Sequence, residues 1–189
     1  MAAGAEVLAI KFLDRRGRTE PLKEALTYVI NNIKPGDVWN YSPGSNKDIA
    51  ALDKKEQKVF GEIEILLKKL EKKAPGTIAA GNLSFSLDDV HFPETHFSDN
   101  HDQIYVVGGI NENEEVRGAF GEVVDFYAPG YNLPVLTNKG VLDNNSRGGT
   151  SLAAPHIAGL LFIGHYDESY LIKEQLSFED KKKDLFRFY

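Results

Sequence analysis

Residues 144–161, NNSRGGTSLAAPHIAGLL, hold the strongest chemical signal in the chain. Ser151 follows a Gly-Gly-Thr step and opens a run of small residues with helical character. A hydroxyl at a helix start lies beside unpaired backbone N–H groups and the positive end of the helix dipole, a favourable place for a developing oxyanion. Gly148 and Gly149 permit close approach of backbone, by a substrate or by a packed neighbour. Pro155 is expected within the first turn, where its missing N–H costs nothing. On local chemistry alone such a step is more often an N-cap, and a nucleophilic serine needs a base.

His156 is the nearest imidazole, and helix geometry rules it out. Five residues at about 100° each put it roughly 140° round the axis from Ser151, so it is expected to be packed and hydrogen-bonded instead. A G-x-S-x-G elbow would need its acid and histidine after the serine. Beyond Ser151 the pair at His165 and Asp167 lies in too little chain to fold back with both groups. His91, His96 and His101 recur every five residues among Glu94, Asp99 and Asp102. Metal ligand sets usually show tighter spacing, so a solvated polar loop is favoured over a metal site.

Stepping outward, 189 residues are enough for one domain with a substantial core. A hydrophobic share of 42% and a charged share of 26% are those of an ordinary globular protein. The net charge is −6, with lysines and acids interleaved in DKKEQK and FEDKKKD. That excludes the basic face a nucleic-acid partner requires. The chain has no cysteine, so disulfides and thiolate metal sites are excluded. No apolar run approaches the length of a membrane span. The opening MAAGAEVLAIKF has neither the basic nor the apolar region of a signal peptide, and the compartment is left open.

The elements that must position Ser151 alternate in type. EVLAIKFL (6–13) reads as a buried strand, and Pro21 to Asn32 as a helix with apolar residues at three-four spacing. A short strand is expected at 37–42. A second helix is expected over roughly 52–73, with Glu64 placed to pair with Lys68. GTIAAGN gives a strand ending in Gly-Asn, residues 83–102 a polar loop, and IYVVGGI (104–110) and VVDFYAPG (123–130) two more strands. The Ser151 helix follows, then a charged helical tail. Strands alternating with helices predict an α/β fold with a largely parallel sheet.

GTSLAAPHIAG closely resembles the serine motif of the subtilases, the subtilisin-like serine proteases, in which Gly-Thr-Ser-Met-Ala leads to Pro-His-Val-Ala-Gly. Leu152 replaces Met. The resemblance extends upstream in family order. GAEVLAIKFLD is similar to the strand after the catalytic-histidine block, and DVWNYSPG to the Asn-Met-Ser-Leu-Gly strand. IAAGN is similar to the oxyanion Ala-Ala-Gly-Asn, and IYVVGGINENEEVRGAF and VVDFYAPG to the next two strands. It implies a partial subtilase catalytic domain over 4–164 and a divergent helical tail over 165–189. The implied fold is the three-layer subtilisin-like α/β fold with a mostly parallel sheet, incomplete because its first strands and the histidine helix are absent.

By that resemblance Ser151 would be the nucleophile. Asn82 would give its side-chain amide to the oxyanion, beside the backbone N–H of Ser151; in a member of the family, losing such a donor costs about 3–4 kcal/mol. Taken locally, Asn82 after Gly81 is more often a turn residue. Ser42, Pro43 and Gly44 would form the strand edge along which a polypeptide substrate lies. His91 falls where small residues often shape the specificity pocket, and Pro43 replaces the usual Leu, so substrate preference does not carry over. Many members bind calcium, but no calcium-loop motif is evident and no cofactor is otherwise implied.

The family's triad runs Asp, His, Ser along the chain. Its Asp-Thr/Ser-Gly turn and His-Gly-Thr-His block occur nowhere here. Losing that histidine alone costs on the order of a millionfold in turnover, so this chain by itself is expected to be a very poor protease. The resemblance also puts the aspartate strand between the equivalents of 6–13 and 37–42, which predicts a chain that is unstable alone, oligomeric or dependent on a partner. Three readings follow. The chain is the C-terminal part of a catalytic domain whose start lies upstream, a short non-catalytic relative that binds peptides or a partner, or half of a split protease completed by a chain bearing the Asp and His.

Overall fold

The computed structural model describes residues 4–12, 21–43, 48–88, 101–137, 139–143, 148–164, 172–178 and 181–187. Two helices form the first layer, and the second of them carries a side-chain cap. α1 (Leu22–Asn32) follows Pro21 and buries Leu22, Leu26 and Ile30, one stripe at four-residue spacing. α2 (Lys54–Glu71) starts at a reciprocal capping box. Asp53 accepts from the Lys55 and Glu56 N–H groups at 2.8 Å each, and Glu56 accepts from the Asp53 N–H at 2.9 Å. Lys68 reaches Glu64 at 3.0 Å one turn away, as its spacing predicts.

Four short strands make the parallel heart of the sheet: β1 (Trp39–Tyr41), β2 (Gly76–Ala79), β3 (Ile104–Ile110) and β5 (Phe126–Pro129). β4 (Val116–Arg117) turns back antiparallel on β3. β6 (Val135–Leu136) and β7 (Leu142–Asp143) form a separate antiparallel pair. α3 (Thr150–Ile163) follows, then β8 (Ile172–Phe178) and β9 (Lys181–Arg187). The sheet order is β1-β2-β3-β5-β9-β8.

The period of two along each strand divides the side chains between two helical layers. Ile78 and Ile104 pack with Leu26, Leu67 and Leu70 beneath α1 and α2. Ala79, Val107 and Ala128 pack with Ala153, Ala154 and Ile157 of α3 on the other face. Tyr127, Val106, Ile110 and Val124 extend the first face toward β5. Thr77, fully buried, ties the layers: its hydroxyl lies 3.2 Å from the Ala154 carbonyl and 3.0 Å from Asn40 Oδ1. The arrangement is the three-layer α/β architecture with a mostly parallel sheet expected from the sequence; among the described residues no strand precedes β1.

Three local expectations are corrected. The described part of 6–13 forms no strand, and Val7 and Leu8 are 88% and 67% exposed. A strand needs a ladder partner, and among the described residues this segment pairs with none. The expected helical tail is a hairpin instead: β9 joins β5 in parallel at Tyr127↔Leu185, and β8 pairs antiparallel with β9. The free edge of β5 offers backbone partners that override local helix propensity. Finally, α3 begins at Thr150, so Pro155 falls in the second turn, inside the helix. It removes the N–H that would have bonded the Ser151 carbonyl.

Candidate functional site

The site is assembled at the C-terminal ends of β1, β2 and β5, where they meet the start of α3. After β2 the chain turns through Gly81, at φ 115°, and presents Asn82. Asn82 Oδ1 accepts from the Thr150 N–H at 2.9 Å and from the Thr150 hydroxyl at 3.1 Å. Thr150 Oγ1 accepts in turn from the Gly81 N–H at 3.0 Å. These bonds hold the Asn82 oxygen against the helix and leave its NH2 group as a donor. Among the described residues neither that NH2 nor the Ser151 backbone N–H has a hydrogen-bond partner.

The two glycines before Thr150 have distinct reasons. Gly148 has φ 77°, and a Cβ there would meet the Gly130 carbonyl oxygen at 2.2 Å. Gly149 is extended, and a Cβ would stand 2.9 Å from Asn82 Oδ1 and 3.0 Å from Nδ2. One glycine makes the turn against β5; the other leaves room for the Asn82 amide.

Ser151 Oγ donates to the Ser42 carbonyl at 3.3 Å, just past the end of β1. Ser42, Asn82 and Ser151 are therefore brought together from chain positions far apart. Pro43 follows Ser42 and is half-buried. Gly44 and His91 lie outside the described residues, as does His96. Thr150 is the residue that sequence reasoning missed. Its hydroxyl reads as a cap, yet it ties the Asn82 turn to the helix; its only sequence signal was its place in the Gly-Thr-Ser step.

His156 is half-buried on α3 and turned to the Leu152 and Pro129 carbonyls. Burial lowers its pKa, against the upward pull of those two carbonyls. It behaves as the packed histidine its helical angle implied. His101 departs from the expected solvated loop: its side chain is fully buried, with Nδ1 2.5 Å from Glu71 Oε2. The Gln103 N–H also donates to Glu71, at 2.9 Å. Burial pushes the Glu71 carboxyl up, but the bonds from His101 and from backbone N–H groups outweigh it and hold its pKa below the ordinary value. The pair fastens the end of α2 to the entry of β3, away from Ser151. Among the described residues no group of three or more His, Asp or Glu side chains gathers as a metal site, and no imidazole or carboxylate hydrogen-bonds Ser151 Oγ. What the corner offers is a hydroxyl beside two N–H donors.

The family model for the subtilase family matches residues 1–163. Subtilisin-like protease 1 of Pseudogymnoascus destructans is 28% identical over 166 residues, covering 85% of this chain and 37% of that protein. A protein of the same name from Arthroderma otae is 40% identical over 86 residues, 44% of this chain and 16% of that one. In structure, the nisin leader peptidase NisP from Lactococcus lactis superposes with a TM-score of 0.65 at 16% identity, over 89% of this chain and 60% of that one. The A-subunit of the AB5 toxin from E. coli gives 0.65 at 16% identity, over 92% and 66%. With the family model matching most of its length, the chain is a member of the subtilase family. It spans little more than a third of the length of the Pseudogymnoascus relative.

Proposed function

We propose that this chain is the serine-and-oxyanion portion of a subtilisin-like serine endopeptidase, acting on polypeptides once an acid–base pair is supplied beside Ser151. The observation that supports it most is the Asn82–Thr150–Ser151 arrangement, which leaves two donors at adjacent points around one hydroxyl. In the reaction, Ser151 Oγ attacks the scissile carbonyl carbon while its proton passes to an imidazole. The carbonyl oxygen becomes an oxyanion that accepts from the Asn82 NH2 and the Ser151 N–H. Collapse expels the amine, which takes the proton back, and water then hydrolyses the acyl-Ser151 ester. Ser42 and Pro43, at the end of β1, form the edge for the substrate backbone; Gly44 and His91, which the resemblance also implies, lie outside the described residues.

Alone, Ser151 is a neutral alcohol whose proton goes to the Ser42 carbonyl, not to a base. The same bond favours a second reading, a non-catalytic subtilase that binds peptide or a partner protein at this corner. Fluorophosphonate labelling separates the two. The endopeptidase reading expects negligible labelling of the chain alone and strong labelling with the acid–base half present, lost in Ser151→Ala. Labelling that stays absent in every context leaves the binding reading.

A further inference from the structure

Asn40 lies in the middle of β1, two residues before Ser42, so the alternation of a strand puts both side chains on one face. Trp39 and Tyr41, on the other face, pack with the layer of α1 and α2. Asn40 and Ser42 are therefore on the side of α3. Asn40 Nδ2 donates to the Ser42 hydroxyl at 3.0 Å. Its Oδ1 lies 3.0 Å from the hydroxyl of Thr77, the residue paired with it on β2. Thr77 is fully buried, and its one hydroxyl proton stands between two acceptors, Asn40 Oδ1 and the Ala154 carbonyl of α3. Ser42 in turn accepts the Ser151 hydroxyl on its carbonyl. The bonds close a ring that leaves α3 at Ser151, crosses β1 and β2, and returns to α3 at Ala154.

Asn40 is exposed, and an exposed amide has water to bond. It is held at both ends by side chains instead. The serine side chain has three staggered wells, and the Ser42 carbonyl selects one of them for Ser151. That carbonyl belongs to the peptide before Pro43, which has no N–H to anchor it. The bond from Asn40 to the Ser42 hydroxyl is what steadies it. We infer that Asn40 is a positioning residue, which through Ser42 fixes the rotamer of the Ser151 hydroxyl before reaction. Its consequence for the reaction rests on the endopeptidase reading; the rotamer itself does not.

The test uses NMR on the full chain, reading the χ1 populations of Ser151 from its Hα–Hβ couplings, beside a thermal melt. In the parent one well is expected to dominate. In Asn40→Ala the couplings should average over all three wells. Ser42→Ala keeps the carbonyl that Ser151 uses and removes only the hydroxyl that Asn40 holds. It should average the couplings too, and it decides the matter if Asn40→Ala does not fold. Asn40→Asp keeps an acceptor for the Thr77 and Ser42 hydroxyls and should restore the single well. A single well in either folded Ala variant, whatever its melting temperature, makes Asn40 merely structural and overturns the inference. So does averaging in the parent, or averaging that Asn40→Asp does not reverse. Fluorophosphonate labelling with the acid–base half present is then compared between parent and Asn40→Ala. A roughly threefold slower rate is expected, since one well in three stays productive; equal rates overturn the positioning role. If the parent never labels while its rotamers behave as expected, the endopeptidase reading fails and the hold of Asn40 on Ser151 stands.

Discussion

The C-terminal end and the outer side of β1 face opposite circumstances. At its C-terminal end the chain closes on itself: Ser42 meets Ser151, Thr150 locks Asn82, and glycines allow the backbones to touch. Along its outer side no strand pairs with it among the described residues, and Val7 and Leu8 lie in solvent. The corner is complete as a scaffold because every group that shapes it comes from residues 42–151. The outer side is open among the described residues because no second strand pairs with it there. A substitution should therefore be felt at the corner and hardly noticed at the edge.

Gly148→Val is the severest test of the closed side. The left-handed φ and the 2.2 Å approach to the Gly130 carbonyl leave no room for a side chain. A loss of more than about 3 kcal/mol in urea unfolding is expected; a loss under 1 kcal/mol would show that the corner is not tightly closed. Glu71→Gln probes the clamp on β3, an interior strand that the comparison treats as secured. The lowered pKa of Glu71 means its contribution is fully present above the ordinary glutamate value of 4.5 and is lost as pH falls through the folded value. The variant should lose about 1–3 kcal/mol at neutral pH and show a shallower acid limb below 4.5 than the parent; equal acid limbs in pH-dependent melts would remove the clamp from the account. Smallest is the double variant Val7→Lys with Leu8→Lys. Because both side chains are exposed, the chain alone should change by no more than about 0.5 kcal/mol. A larger loss by the same urea measurement would mean that the open edge is already covered.

Much of this protein was legible in its sequence. The stripe of Leu22, Leu26 and Ile30, the Asp53–Glu56 box and the Glu64–Lys68 pair are local patterns, and each formed as written. The strand over 104–110 appeared with the same bounds, because a continuous apolar run suits a strand covered on both faces. The motif around Ser151 identified the family, since its residues are adjacent in the chain. The histidine at 101 was misread because its partner, Glu71, lies thirty residues earlier and only the packing of α2 on β3 joins them.

What the sequence by itself determined is thus the set of elements with local causes, the family, and the absence of the Asp and His motifs. Tertiary structure decided the rest. It made residues 6–12 an exposed segment and not a strand, since strand formation depends on a neighbour. It turned the charged tail into a hairpin because β5 had a free edge. It gave Thr150 its place between Gly81 and Asn82, and it set Ser151 against the Ser42 carbonyl. Helix caps and apolar stripes are written within a few residues of one another. Ladders and hydrogen-bond corners join residues tens of positions apart, and only the folded chain brings them into contact.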